Sequence, residues 1–318
     1  MKRFQNKVAE GRFSLPIASI YGVLALLAAG LINQNFWFPI LLMALCVYLM
    51  AEMNNRNALL RIRSRMVSCC FIMLMSMSSM LLLDTNVSLA LLCFVAYQFL
   101  IFYTCQNPGA VGIVFYAFFF IGMASLISVH LLLLVPVLLL LLSRPLYGLS
   151  GRTMSAAVMA TMVPYWMTII YLIYIGDYEP LMAHFSPLAD TSILFNYDKV
   201  TIGMVINFAV VVISMLTGIV HFMQNAYKDK IRVRLLFRMM IVLSLILMIL
   251  IAVAPAMYNY LLPMMVVTVS PLIAHFFTFT DSRITNYTFI TWLVITILIT
   301  LYSLCLTSSY NMVLSECL

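Results

Sequence analysis

The chain has 318 residues, 65% of them hydrophobic and 8% charged, with a formal net charge of +7. Soluble domains carry about 25% charged residues, and no soluble core hides so many apolar runs of membrane-span length, so the composition excludes a soluble globular protein and makes lipid the solvent. The positive excess does not require nucleic acid as a partner, because every Lys and Arg except Lys199 falls in segments that one membrane orientation places on a single side.

The N-terminus, MKRFQNKVAEGRF, is basic and leads into an apolar run over 14–32. That run is long for the core of a signal peptide, and a second begins almost at once at Phe36, so the first helix is expected to stay uncleaved. A span needs about 20 residues. By that measure there are about eleven spans, at 14–32, 36–51, 66–83, 88–104, 111–128, 130–143, 154–175, 202–222, 239–257, 260–279 and 287–307. The run 130–143 is short, and with its neighbour it reads equally as a re-entrant pair. The chain is thus expected to be a single all-α integral membrane domain over 1–318.

His221–Arg238 fixes the direction. It carries Lys228, Lys230, Arg232, Arg234 and Arg238 against the single acid Asp229, and a segment this basic beside a span belongs on the cytoplasmic side. With it inside, the N-terminus, the loop 52–65 with Arg56, Arg61, Arg63 and Arg65, the loop 144–153 with Arg144 and Arg152, and the loop 280–286 with Arg283 all fall inside as well. The outer segments hold Asp84, Asp177, Glu179, Asp190, Asp198 and Glu316. Asn33-Gln34-Asn35, Asp84-Thr85-Asn86 and Gln106-Asn107-Pro108-Gly109 read as turns.

Of the seven cysteines, Cys46, Cys69, Cys70, Cys93, Cys105 and Cys305 lie in or beside apolar runs, and Cys317 is near the end. None has zinc-ligand spacing and the total is odd, so they read as small apolar residues rather than a disulfide framework. An internal echo is present: Gly11-Arg12-Phe13-Ser14 against Gly151-Arg152-Thr153-Met154-Ser155, and Arg61-Ile62-Arg63 against Arg232-Val233-Arg234. Each pair is six spans apart, as two parallel halves over 1–143 and 144–318 would place them. A shared orienting role explains the same likeness.

Three groups of residues are candidates for chemistry. On a helix, Lys230, Arg234 and Arg238 would stack at four-residue spacing, as would Arg61 and Arg65, with Asn57 one turn earlier. Such stripes suit the phosphate oxygens of a lipid headgroup or lipid diphosphate, although topology and non-specific attraction to anionic lipid account for them equally. The tenth span is broken by Pro263 and Pro271 and carries Ser270, His275 and Thr278. Broken helices recur at midplane transporter sites. His275 and His221 are expected to share a depth near the inner face, where a His pair can relay protons or contact a phosphate. The plain alternative is two inert interfacial imidazoles.

Pro136, Pro164 and Pro255 add kinks of an ordinary kind. Gln98, with Tyr97 and Tyr103, and Asn207 read as interhelical hydrogen-bonding groups. The third candidate group is in the outer loop 176–200, where Asp177, Glu179, His184, Asp190 and Asp198 are candidates for an acid/base or metal group, although no tight ligand spacing follows and the loop otherwise reads as solvated. The first outer loop lacks the acid, and the large outer loop lacks the Arg, that membrane glycosyltransferases and glycan polymerases respectively use. There is no P-loop, HExxH or GxSxG. No metal and no cofactor are implied.

The stretches MKRFQNKVAEGRFSLP, NNRNALLRIRSRMVSCC, IVHFMQNAYKDKIRVR and SPLIAHFFTFTDSRIT together resemble a family of polytopic inner-membrane proteins of Bacteroidota. The likeness covers nearly the whole chain. It implies a multi-pass location in the inner membrane of a Gram-negative cell and supplies no catalytic residue or substrate. The expected function is the handling, by translocation or transfer, of an amphipathic or lipid-linked envelope substrate, with membrane lipids as partners and His221, His275, Lys230, Arg234, Arg238, Arg61 and Arg65 as its contacts. A second reading is a non-catalytic subunit or scaffold that binds a membrane-protein partner or its own copies. The third is an enzyme acting through the outer loop.

Overall fold

A computed structural model of the chain describes residues 3–30, 37–176, 179–189 and 194–316, from 306 onward as backbone alone. The turn at Asn33-Gln34-Asn35, together with Asp177, Asp190 and Cys317, lies outside the described residues, as does the side chain of Glu316. The described chain is all helix, without strands. In order it forms α1 (Phe4–Glu10), α2 (Ser14–Gly30), α3 (Trp37–Asn57), α4 (Met66–Ser76), α5 (Ser79–Leu83), α6 (Thr85–Ile101), α7 (Val111–Ile127), α8 (Leu134–Ser143), α9 (Gly151–Ile175), α10 (Glu179–Phe185), α11 (Ile202–Asn225), α12 (Ile231–Val253), α13 (Tyr258–Phe279) and α14 (Arg283–Glu316), with short 3₁₀ turns at several junctions.

Seven of the helices described are long and apolar enough to cross a membrane: Trp37–Asn57, Thr85–Thr104, Gly151–Ile175, Ile202–Lys228, Ile231–Val253, Pro255–Phe279 and Arg283–Cys305. The pair α1 and α2 passes the same test together but is bent by 91°. Met66–Ser76, Val111–Ile127 and Val129–Ser143 are apolar but shorter. The chain is therefore a multi-pass helical membrane protein.

Local chemistry sets the helix ends. Asp84 Oδ1 accepts the Asn86 amide at 2.9 Å and starts α6. Ser150 and Thr153 form a reciprocal capping box at the start of α9, and Ser282 and Thr285 exchange the same pair of bonds before α14. Thr201 Oγ1 accepts the Met204 amide and starts α11. Gly176, at φ +80°, stops α9 in the left-handed conformation that glycine adopts without strain.

Helix α13 is the axis of the bundle. Within its apolar window 94% of residues are buried inside the protein, against 17% for α14. Pro271 has no N–H to offer the Val267 carbonyl, and Ser270 Oγ compensates by donating to the carbonyls of Val266 and Val267 at 2.7 and 3.3 Å. Every residue of α4 is buried as well. The expected span 66–83 is broken at Met77–Ser78, where Asn207 Nδ2 donates to the Met77 carbonyl at 3.2 Å and stitches the break to α11.

The basic connections gather at one end. Arg3 pairs with Asp281 at 3.2 Å, Ser64 Oγ donates to the Ala9 carbonyl at 2.5 Å, and the Gln106 amide donates to the Leu146 carbonyl at 2.7 Å. Ser150 Oγ reaches the Pro108 carbonyl at 2.9 Å. At the opposite end His130 Nε2 lies 3.3 Å from the Pro187 carbonyl, and Tyr197 Oη donates to the Ala252 carbonyl at 2.6 Å.

One expected helical stripe is shorter than the sequence suggests and the other is not formed: Arg234 and Arg238 stand four residues apart on α12 with Lys230 at its N-cap, whereas Arg61 and Arg65 lie outside any common helix. The segment 221–238 is not one helix: α11 ends at Asn225, a 3₁₀ turn covers Ala226–Lys228, Asp229 is extended and Lys230 is only the N-cap of α12. The segment 52–65 stops being helical at Asn57, because Ala58 turns left-handed at φ 47° and the Leu59 amide bonds back to the Asn54 carbonyl at 3.3 Å. Arg61 and Arg65 therefore do not share a helix face.

Candidate functional site: a buried histidine–aspartate–arginine cluster

Close helix packing at the basic end brings the two histidines together. A Cβ at Gly218 would sit 2.7 Å from the carbonyl carbon of Leu272, so only glycine lets α11 approach α13 this closely. About one turn further along both helices, His221 Nδ1 and His275 Nδ1 are 3.3 Å apart. The depth shared by these residues was legible in the sequence; their direct contact was not.

The other side of His275 meets the one acid of the basic stretch. The turn after α11 is closed by the Asp229 amide on the Ala226 carbonyl at 3.1 Å. It places Asp229 Oδ2 3.2 Å from His275 Nε2. Asp229 Oδ1 pairs with Arg61 Nε at 2.7 Å. The side chains of Asp229 and His275 have no exposed surface, while Arg61 keeps 36%. Burial pushes the Asp229 carboxyl up, but the His275 hydrogen bond and the charge of Arg61 outweigh it and hold the group below the usual carboxylate range.

Aromatic rings enclose the cluster. His275 meets the edges or faces of Phe222, Phe237 and Phe279, with ring centroids 5.5, 5.2 and 4.7 Å away. The Arg61 guanidinium lies 4.3 Å from the centroid of Phe279, in cation–π contact. Beside it, Arg232 donates to Asn57 Oδ1 at 3.2 Å and to the Phe102 carbonyl at 3.3 Å, tying the hairpin to the ends of α3 and α6. Lys228 Nζ donates to Asn225 Oδ1 at 2.9 Å.

Of the candidate contacts, then, His221, His275 and Arg61 converge. Lys230 is exposed at the start of α12, Arg234 is half-buried and Arg238 exposed on it, and Arg65 is the exposed N-cap of α4. None of these four makes a side-chain hydrogen bond or ion pair among the described residues. In the sequence Asp229 is the lone acid of an orienting segment, and its isolation among five cations is the signal that marks it. In the outer loop, His184 packs on the rings of Tyr165 and Phe185, and no described acid bonds to it. Gln98 and Tyr97 are fully buried, yet their polar atoms have no partner among the described residues, so the expected interhelical bond is missing there.

A separate groove lies beyond α13, at the same end of the bundle. It has a volume of about 540 Å³ and an almost wholly apolar wall that includes Ile17, Tyr21, Cys69, Phe289 and Trp292, with Lys7 on its rim. Its shape follows from the bend between α1 and α2. Gln5 Nε2 fixes α1 across the end of α13, donating to the Phe277 carbonyl at 2.6 Å and to Thr280 Oγ1 at 2.8 Å. Tyr21 Oη donates to Thr300 Oγ1 at 2.8 Å and ties α2 to α14.

Fold and site together define a multi-pass helical membrane protein with a buried, charge-compensated histidine pair. No protein-family profile, curated protein or solved structure matches the chain.

Proposed function

We propose that the protein handles an amphipathic, lipid-type substrate of the cell envelope, holding one alkyl chain in the groove between α2, α4 and α14 and an anionic headgroup at Lys7. The observation that carries this reading is the groove itself: its volume of about 540 Å³ is in the range of small-ligand sites. Its wall is apolar, and Lys7, the one cation among its described lining residues, stands at the end where a headgroup would lie. The histidine cluster is a poor direct headgroup site, since Asp229 already neutralises Arg61 and rings close around His275.

In this reading the basic end is cytoplasmic. The seven long helices, the bent first pair and the three shorter apolar helices then make about eleven crossings. The inner membrane of a Gram-negative cell, as in the Bacteroidota family that the chain resembles, is the proposed location. The test is photo-crosslinking of an anionic lipid carrying a diazirine in its alkyl chain to the full chain in nanodiscs. Labelling of α2 and α14 peptides is expected, reduced several-fold by Ile17→Trp, which fills the groove from an exposed position, and by Lys7→Glu. Labelling that is uniform over the lipid-facing helices and indifferent to both variants would end the proposal.

A further inference from the structure

We propose that His221 and His275 form a proton-binding site that stores one proton for the molecule, with Asp229 as its fixed counter-charge and Arg61 keeping Asp229 ionised. This goes beyond the groove and does not rest on it.

The argument starts from hydrogen-bond valence. A bond between two Nδ1 atoms needs one N–H and one lone pair, because a neutral imidazole has one of each and an imidazolium has two N–H groups. Asp229 Oδ2 accepts from His275 Nε2, so neutral His275 keeps its proton on Nε2 and offers the Nδ1 lone pair. His221 must then donate from Nδ1, which leaves its Nε2 lone pair as the open acceptor of the chain. An incoming proton binds there, and the Nδ1 proton of His221 passes to His275 Nδ1. His275 is now the imidazolium, donating to Asp229 on one side and to His221 on the other. Every hydrogen bond of the neutral state survives, with one proton added.

The surroundings stop the proton at that point. Going further would require Asp229 to become a neutral acid beside Arg61 Nε at 2.7 Å, and the guanidinium opposes this. A second proton would set two Nδ1–H groups against each other at 3.3 Å and break the bond between α11 and α13. The charged groups that act on His221 are His275 from α13, Lys228 and Asp229 from the hairpin, and Arg61 from the segment after α3. Two cations and one anion thus frame the pair, and Asp229 is the only one of the three that touches it. The site is therefore built to hold one proton, not to conduct many.

The test is a titration of ring-labelled histidines by NMR, on the full chain in nanodiscs, between about pH 8 and pH 5. His130 and His184 serve as internal controls. The wild type should show His221 and His275 moving together in one step that accounts for one proton. Asp229→Asn should lower the pair's proton affinity, and Arg61→Gln, which leaves Asp229 uncompensated, should raise it, each by about tenfold or more. Arg61→Lys should restore the wild-type midpoint, and it keeps the test open if Asp229→Asn fails to fold. Independent titration of the two rings, or shifts in the same direction for Asp229→Asn and Arg61→Gln, would overturn the proposal.

Discussion

His275 and Phe277, two positions apart on α13, face opposite ways. His275 lies among Phe222, Phe237 and Phe279 beside the polar cluster. Phe277 packs on Phe289 and Trp292 at the groove, with ring centroids 5.0 and 5.1 Å away. Each helical residue turns by about 100°, so two steps reverse the face. One buried helix therefore serves both sites, and its Phe277 carbonyl also holds α1 through Gln5.

Asp229 is expected to contribute most to stability at the basic end. Replacing it with Ala leaves buried His275 and partly exposed Arg61 without their acceptor, a loss of about 1.5–3 kcal/mol, to be read from thermal unfolding in nanodiscs. The pH dependence has a definite sign. The folded carboxyl is depressed, so its contribution is complete above about pH 4, the range of an unfolded Asp, and is lost as pH falls through the lower folded value. Asp229→Asn should remove that acid limb. An unchanged limb would show that Asp229 carries no such linkage.

Gly218→Ala should separate α11 from α13, since the added Cβ meets backbone at 2.7 Å. A cost of about 1–3 kcal/mol is expected, together with loss of the coupled titration of the two histidines. Gly112→Ala is the matched control, because nothing lies within 4 Å of the Cβ it would add; it should be neutral or slightly stabilising. Equal effects of the two would contradict the close approach.

Ala58 occupies a position where glycine is the usual residue. It is exposed and left-handed at the end of α3. Ala58→Gly should stabilise the protein by about 1 kcal/mol by relieving the Cβ strain. A loss of stability would show that Ala58 is not strained in the left-handed conformation.

Gln98→Leu tests the unpaired amide in α6. Both polar atoms of this side chain are buried without a partner among the described residues. An apolar replacement of similar size should be neutral or raise stability by about 1–2 kcal/mol. A fall of the same size would reveal a hydrogen-bonding partner for the amide.

Much of the scaffold could be read from hydropathy because lipid imposes length and apolarity on each span. The runs 154–175, 202–222 and 260–279 differ from α9, α11 and α13 by only a few residues at their ends. The prolines and His275 marked α13 as unusual, yet the helix runs unbroken from Tyr258 to Phe279 through Pro263 and Pro271, so the expected break is absent. What stayed hidden is non-local or conformational. Nothing in the spacing of Arg61 and Arg65 reveals that Ala58 turns left-handed and sends only Arg61 to Asp229. The groove depends on the 91° bend between α1 and α2 and on Phe289 and Trp292, which lie more than two hundred residues away in sequence. The break at Met77–Ser78 falls in Ser76-Met77-Ser78-Ser79, a small polar patch that the mean hydropathy of the run 66–83 averages away.

Occupancy of the groove is settled most directly by cryo-EM of the full chain in nanodiscs containing anionic lipid. The expected result is continuous density for an alkyl chain along Ile17, Tyr21 and Trp292, ending in headgroup density within reach of Lys7. A groove closed by contact between α2 and α14, with lipid density no stronger there than elsewhere around the bundle, would contradict it.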